Sequence, residues 1–295
     1  MIKIFDTHTD IMYDLYEKTT RGEQDIFNRY HQSHLFIGGI MGGIWTIYSD
    51  HDFDIIKAYK TALEELSKND ISKYKIVFGI EGMRNVHTLD HLKQLHQLGV
   101  RHGGLTWNEE NHLATGVKGL QNKGLTTQGK EFIDFMVQNN MIVDLAHLNV
   151  KSFFDVLNRN QKNILVSHSN AYEVCNHIRN LSDEQIKAIG QVNGLIGVVA
   201  AKNFVSSNLE KQTSEGLVDH IVHITNLIGV RHISVGFDFM NYLEGYANAN
   251  LQDIPHAGEA QKLVNVLETR GFSTEDIEKI CYSNIIRFIE EVERT

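Results

Sequence analysis

The sequence predicts an α/β protein built as a single (β/α)8 barrel. Short apolar runs rich in Val and Ile alternate with stretches of helical periodicity, which is the pattern of a barrel in which a helix follows each strand. Most of these runs are continuously apolar, as expected for parallel strands that are covered on both faces. The length of 295 residues suits one barrel, so we expect residues 1–295 to form one domain.

Eight apolar runs are candidate strands, and most of them end in a polar residue. Their content of Val and Ile favours strands. The candidate strands are Ile2–Asp6, Gly38–Ile47, Lys75–Glu81, Val100–Thr106, Met141–His147, Asn163–His168, Leu195–Ala201 and His232–Asp238.

Amphipathic stretches between the strands predict helices. Ile55–Leu66 repeats apolar residues at helical spacing, and Ser182–Ile189 opens with a Ser cap followed by Glu184 in the first turn. Eight alternations are typical of a TIM-type barrel, with a doubly wound open sheet as the alternative. The other predicted helices are Thr127–Val137, Gly216–Ile228, Ala257–Leu267 and a closing segment Thr274–Glu291.

Charge and composition limit the partners. The formal net charge of -9 makes nucleic acid an unfavourable partner, because an acidic chain gains nothing from releasing phosphate counterions. No run approaches the ~20 apolar residues of a membrane span, and the N-terminal MIKIFDTHTD is unlike a signal peptide. Cys175 and Cys281 lie in no paired motif and are expected to be free and buried. We therefore expect a cytoplasmic protein without a membrane partner, and a homodimer is left open.

The segment DTHTD at the end of the first strand carries the first candidate metal ligands. His8 and Asp10 are two residues apart, so their side chains point to the same side of an extended chain. A neutral imidazole and a carboxylate held together suit a divalent metal such as zinc. The same spacing also occurs in caps and turns, so this motif alone leaves a structural role open.

Further polar residues end other apolar runs. Glu81 ends the third run, His147 the fifth, His168 the sixth and Asp238 the eighth. The carboxyl ends of all barrel strands open onto one face, so these side chains should converge there. Two sets of ligands that share Glu81 fit a two-metal site, with metals ~3.5–4 Å apart. The alternative, that each residue merely caps its strand, weakens as their number grows.

Taken together, these segments resemble the membrane (renal) dipeptidase family, in the form of its soluble bacterial-type members. The similarity runs from Asp6 to beyond Arg287. The matching stretches are DTHTDIMYDLY at the start, GGIMGGIWTIY at 38–48, GIEG at 79–82, LGVRHGGLT at 98–106, GLTTQGKEF at 124–132, MIVDLAH at 141–147, ILVSHSNAYEVCNHIRN at 164–180 and VGFDF at 235–239.

The resemblance implies a TIM-like barrel of the metal-dependent hydrolase type that binds two divalent ions, with Zn²⁺ expected. It implies His8 and Asp10 on one metal, His147 and His168 on the other, and Glu81 between them.

The resemblance also assigns roles beyond the metal ligands. Asp238 would be the acid/base residue, and Arg179 would hold the carboxylate of the substrate, for which the guanidinium fork is suited. Where animal members carry a substrate-contacting His after the fourth strand, this chain has Trp107 followed by Asn108. We expect these two residues to contact substrate, although Trp107 cannot exchange a proton as imidazole does.

The expected function is that of a zinc-dependent dipeptidase acting through a metal-bridging hydroxide, with Asp238 and Glu81 as its catalytic residues. Its expected substrates are short peptides, including dipeptides with a D-residue at the C-terminal side. Two alternatives remain: another amide or lactam hydrolase on the same binuclear barrel, and a metal-binding barrel without catalysis.

Overall fold

Eight parallel strands close into a barrel in the computed structural model, which describes residues 1–294. Each strand pairs with the next along the chain, and Asp6 of the first strand pairs with Val235 of the eighth. This closure confirms the predicted barrel and excludes the open doubly wound sheet. The strands are β1 (Ile4–Thr9), β2 (Ile40–Tyr48), β3 (Lys75–Glu81), β4 (Val100–Gly104), β5 (Ile142–Asp144), β6 (Ile164–Val166), β7 (Leu195–Val198) and β8 (Ile233–Val235).

Helices surround the barrel and follow its strands. Short 3-10 turns and two π-helical turns, at Phe27–Gln32 and Lys279–Ser283, complete the helical segments. The α-helices are α1 (Ile11–Thr20), α2 (Ser33–Gly38), α3 (Ile55–Leu66), α4 (Leu89–Gln97), α5 (Thr127–Gln138), α6 (Val150–Arg159), α7 (Asp183–Gln191), α8 (Lys202–Val205), α9 (Ser214–Ile228), α10 (Gln261–Thr269), α11 (Thr274–Glu278) and α12 (Asn284–Arg294).

The later strands are shorter than the sequence predicts. β5 ends at Asp144 and β8 at Val235, each three residues before the polar residue that was expected to end it. Those residues, His147 and Asp238, adopt left-handed backbone conformations with φ of 68° and 55°. A left-handed residue cannot continue a strand, so the backbone leaves the ladder before the functional side chain is reached.

Several helices of the structure were not predicted, among them α1 and α6. α1 begins directly after Asp10 and needs no side-chain cap, and α6 is capped by Asn149, whose side chain accepts from Ser152 N at 2.8 Å. The cap predicted at Ser182 is present as a reciprocal capping box with Gln185. The predicted helix Thr274–Glu291 is interrupted by the second π-helical turn, which divides it into α11 and α12.

The last helix closes the amino-terminal end of the barrel. One face of α12 carries Phe288 and Ile289, which are each 3% exposed, and packs on apolar side chains from the beginnings of the strands. This contact seals the end of the barrel opposite the cavity described below. The cluster consists of Phe5, Ile44, Val77, Ile142, Leu165, Leu195, Ile285, Phe288, Ile289 and Val292.

The state of the cysteines and the length and polarity of the helices were both predicted from the sequence. Cys175 and Cys281 are both free and buried, as predicted. Across residues 1–294, every helix is too short or too polar to cross a bilayer.

The packing of α12 generates a stability prediction. Replacing Phe288 by Ala should lower the free energy of unfolding by about 3–5 kcal/mol, because it removes a buried ring and leaves a cavity in the barrel floor. Replacing Glu290, an exposed residue of the same helix, by Ala should change it by no more than ~0.5 kcal/mol. Urea unfolding measures both, and equal effects would contradict the proposed role of the helix.

Candidate active site

A cavity of about 290 Å³ opens at the carboxyl ends of the strands. All nine residues that the sequence singles out meet at this face of the barrel. His8 and His168 are buried beneath the cavity, with 0% and 1% of their surface exposed. The other seven line its wall: Asp10, Glu81, Trp107, Asn108, His147, Arg179 and Asp238.

One carboxylate oxygen of Glu81 lies at the centre of the buried layer. Glu81 ends β3, and its Oε1 lies 2.7 Å from Nε2 of His147, 3.2 Å from Nε2 of His168 and 3.5 Å from Nε2 of His8. Three imidazoles from three different parts of the barrel therefore face one oxygen. Only the closed barrel can bring them together, because they are up to 160 residues apart along the chain.

A second group of donors forms around the end of β1. Nε2 of His8 lies 3.8 Å from Oδ2 of Asp10 and 3.9 Å from Oδ1 of Asp238. Asp10 is held in place by Thr46 of β2, whose hydroxyl donates to Oδ1 of Asp10 at 2.8 Å. His8 thus lies between the Glu81 group and a pair of carboxylates.

The donor atoms of these residues fit divalent cations. Both ring nitrogens of His8 are buried without a hydrogen-bond partner, and a buried polar atom without a partner is costly. Nε2 of His147 lies only 2.8 Å from Nε2 of His168. Two groups of residues, His8–Glu81–His168 and His8–Asp10–Asp238, each offer three donor atoms. Within each group these atoms lie within 4.8 Å of one another. Imidazole nitrogens and carboxylate oxygens are the donors that zinc accepts.

The charges of the site agree with this fit. Burial lowers the pKa of His147 to about 4 and holds the pKa of His168 well below its usual range, so both rings are neutral. Burial also opposes charge on His8, but Glu81 and Asp10 outweigh it and raise its pKa well above the usual value. The site therefore offers two neutral imidazoles, and its carboxylates favour positive charge at the position of His8.

Left-handed backbone conformations direct two of the functional side chains into the cavity. A non-glycine residue in this region costs on the order of 1–3 kcal/mol, so other contacts must stabilise it. The carbonyl of His147 accepts from Val117 N at 2.9 Å. The carbonyl of Asp238 accepts from Asn250 Nδ2 at 2.8 Å, and Oδ1 of Asn250 accepts from Met240 N at 2.9 Å. Hydrogen bonds from other loops thus hold both turns, from the backbone of Val117 at His147 and from the side chain of Asn250 at Asp238.

Arg179 lies in the cavity wall as a buried cation. It is 5% exposed, its Nε has no hydrogen-bond partner, and its NH1 and NH2 groups make only long contacts of 3.4 Å with Ser169 Oγ and His168 O. Within residues 1–294, no carboxylate lies within 4.0 Å of it. Burial lowers its pKa to about 10, so it remains charged. A buried guanidinium with free donors is suited to bind an anion.

Trp107 and Asn108 lie together on the loop after β4. The Trp107 ring lies 6.0 Å from the ring of Tyr48 and 6.1 Å from the imidazole of His147 between centroids, so it forms an apolar part of the wall. Asn108 also contacts His147, with 3.0 Å between its Oδ1 and Nδ1 of the ring. A contact with substrate, as predicted for both residues, is compatible with their positions.

Sequence reasoning missed a buried layer of polar residues behind the histidines. Asp144 accepts hydrogen bonds from Ala146 N, Ser167 N and Ser167 Oγ, and it pairs with His102. On β1, Asp6 accepts from Phe237 N at 2.9 Å across the β1–β8 junction. The sequence feature that could have indicated this layer is a carboxylate within an apolar run, such as Asp144 in IVDLAH. Its partners Ser167 and His102 are remote in sequence.

Comparison with known proteins identifies the family. The model of the family described as membrane dipeptidase (peptidase family M19) matches residues 53–295. The dipeptidase tcpJ of Claviceps purpurea is 28% identical over 96% of this chain and 66% of its own length. The dipeptidase aclJ of Aspergillus oryzae is 28% identical over 74% of this chain and 51% of its own length. The chain thus spans about half to two thirds of these relatives.

Solved structures show the same fold. A dipeptidase called AC, a metallopeptidase of the same family, has a TM-score of 0.84 at 22% identity, and the match covers 98% of each chain. A metallopeptidase from Rhodobacter sphaeroides, bound to a phosphinate mimic of the dipeptide L-Ala-D-Ala, has a TM-score of 0.83 at 21% identity over 99% of each chain. With the family match over most of its length, this barrel chain belongs to the membrane dipeptidase family.

Proposed function

We propose that this chain is a zinc-dependent dipeptidase that hydrolyses short peptides, including dipeptides with a C-terminal D-residue. The observation that carries the proposal is the approach of three imidazole Nε2 atoms, from His8, His147 and His168, to one oxygen of Glu81. Such an arrangement of imidazole nitrogens around a buried carboxylate is typical of a metal centre. The family membership and the dipeptidases among its relatives support the same function.

Five side chains would hold two divalent ions. His8 and Asp10 would bind one ion, His147 and His168 the other, and Glu81 would contribute to both. When bound, divalent ions of this kind polarise a carbonyl and lower the pKa of water to ~7, which makes hydroxide available at neutral pH. The remaining residues of the cavity would position the peptide and move protons.

Asp238 is suited to the proton transfers. Burial raises its pKa to about 7, with the negative charges of Glu81 and Asp10 acting in the same direction. A carboxyl group with a pKa near the working pH can both accept and release a proton. We infer that Asp238 takes the proton of the attacking water and delivers it to the amine of the leaving residue.

Arg179 would limit the length of the substrate. Its weakly bonded guanidinium lines a cavity that also contains the predicted metal ligands, so a bound peptide can place its carboxylate there and its amide bond at the ligands. Because both points lie in one cavity of about 290 Å³, a carboxylate held at Arg179 favours very short peptides such as dipeptides. The L-Ala-D-Ala mimic on the Rhodobacter protein supports acceptance of a D-residue at the carboxylate side.

A substrate panel tests the proposed function. The protein loaded with Zn²⁺ should hydrolyse L-Xaa-L-Ala and L-Xaa-D-Ala dipeptides, and a chelator should abolish this activity until Zn²⁺ is restored. Liquid chromatography of the released amino acids measures both steps. Lactams, lactones and phosphoesters in the same panel cover the other hydrolases. Turnover of these compounds without turnover of dipeptides would assign a different substrate class.

Two substitutions separate ligand binding from proton transfer. Asp238→Asn should reduce kcat by roughly 10²–10⁴-fold, because the amide cannot transfer the proton, while the bound zinc remains near the wild-type amount. Glu81→Gln should also lower kcat, but with loss of zinc, because it removes the charge shared by both ions. Elemental analysis beside steady-state kinetics measures the contrast. Loss of zinc in Asp238→Asn, or full zinc in Glu81→Gln, would reverse these assignments.

The role of Arg179 can be tested by changing the arginine and, separately, the carboxylate of the substrate. Arg179→Ala should reduce kcat/KM for free dipeptides by roughly 10–100-fold, since a hydrogen-bonded charge pair contributes about 1.5–3 kcal/mol. The same change should have little further effect on dipeptide amides, which lack the carboxylate. Arg101→Ala, an exposed arginine on β4, is the matched control. An equal loss on both kinds of substrate would falsify the carboxylate-binding role.

A further inference from the structure

The remote ring nitrogens of His147 and His168 each meet a dedicated partner. Nδ1 of His147 lies 3.0 Å from Oδ1 of Asn108, and Nδ1 of His168 lies 2.8 Å from Oγ of Ser167. We propose that Asn108 and Ser167 are positioning residues that hold both imidazoles in the tautomer that leaves Nε2 free to bind a cation. This inference rests on the metal site of the proposed function, and it assigns Asn108 a role beyond contact with substrate.

The partner of His147 is an acceptor. The amide oxygen of Asn108 can only accept, so the proton of the neutral ring must reside on Nδ1. The loop that carries Asn108 is fixed, because Lys118 N donates to the backbone carbonyl of Asn108 at 2.8 Å. With its proton on Nδ1, His147 directs the lone pair of Nε2 toward Glu81, 2.7 Å away.

The partner of His168 is the hydroxyl of Ser167, which acts as an acceptor because its own proton is donated to Asp144. The hydroxyl of Ser167 donates its one proton to Oδ2 of Asp144 at 2.5 Å, so its oxygen must accept from Nδ1–H of His168. His102 lies 3.0 Å from the same carboxylate oxygen, and its hydrogen bond helps to hold the pKa of Asp144 below the usual range despite burial. An ionised Asp144 cannot donate, which sets the direction of the whole relay.

The contacts of Asn108 and Ser167 have the same effect on the two imidazoles. They leave both Nε2 atoms without a proton at a separation of 2.8 Å, beside the carboxylate of Glu81. Without a cation this arrangement brings lone pairs and negative charge together, and with a cation each of these atoms becomes a ligand. Hydrogen bonds to the remote nitrogen of a metal-binding histidine typically improve affinity by 10–100-fold, through orientation and ligand basicity.

Zinc titration of the metal-free protein tests the inference without any substrate. In Asn108→Ala and in Ser167→Ala, the affinity for one of two Zn²⁺ ions should fall by roughly 10–100-fold, while the affinity for the other ion stays close to wild type. Competition against a chromogenic chelator measures both steps. Thermal melting of the metal-free variants reports any general loss of structure.

Matched variants separate the contact from side-chain size. Asn108→Asp keeps an acceptor at the same place and should retain zinc binding that Asn108→Ala loses. Ser234→Ala removes a buried hydroxyl that has no hydrogen-bond partner, so it should leave zinc affinity unchanged. Unchanged affinity in both alanine variants would overturn the inference. Equal weakening of both zinc steps, or equal loss in Asn108→Asp, would indicate a general structural effect and would overturn it as well.

The outcome can be separated from that of the proposed function. If the wild-type protein binds two zinc ions and the variants lose one as described, but no dipeptide is hydrolysed, the positioning role holds and the dipeptidase proposal fails. If dipeptides are hydrolysed while the variants bind zinc normally, the reverse is true.

Discussion

The contact between Glu81 and three imidazoles organises the whole cavity. A carboxylate that is almost completely buried would normally be neutralised by a proton, yet here the charge of His8 opposes the effect of burial, and the pKa of Glu81 lies well below its usual range. Negative charge is therefore kept inside the barrel. Asp10 and Asp238 add further carboxylates within a few ångströms, and Arg179 is the buried cation in the same wall. This concentration of carboxylates is suited to bind cations.

The barrel accommodates this concentration of charge because its apolar core and its polar cavity lie at opposite ends. Apolar side chains fill the amino-terminal end, where α12 seals the strands, and polar side chains occupy the opposite end. The functional residues of β5 and β8 lie beyond the hydrogen-bonded ladder, in the turns at His147 and Asp238. Strain in those turns is offset by contacts from neighbouring loops, of which Asn250 makes three.

A layer of polar residues behind the proposed ligands links them to the strands of the barrel. Asp144 joins β5 to Ser167 beyond β6, and Asp6 joins β1 to the backbone beyond β8. Each of these carboxylates accepts a backbone N–H where two strands diverge, so it replaces the ladder at that point. The positions of the histidines are therefore determined by hydrogen bonds across strands as well as by the strands themselves.

The sequence by itself determined the barrel and the residue types that gather at its carboxyl end. Alternating apolar runs and helical stretches specify the fold because burial on both faces leaves few other arrangements, and Glu81 ends its strand where the pattern predicts. Only the tertiary structure decided the conformation of His147 and the partner of each ring. Those features depend on hydrogen bonds between residues such as Asn108 and His147, 39 positions apart. Local periodicity carries no information about such contacts, since they form only when the loops have packed.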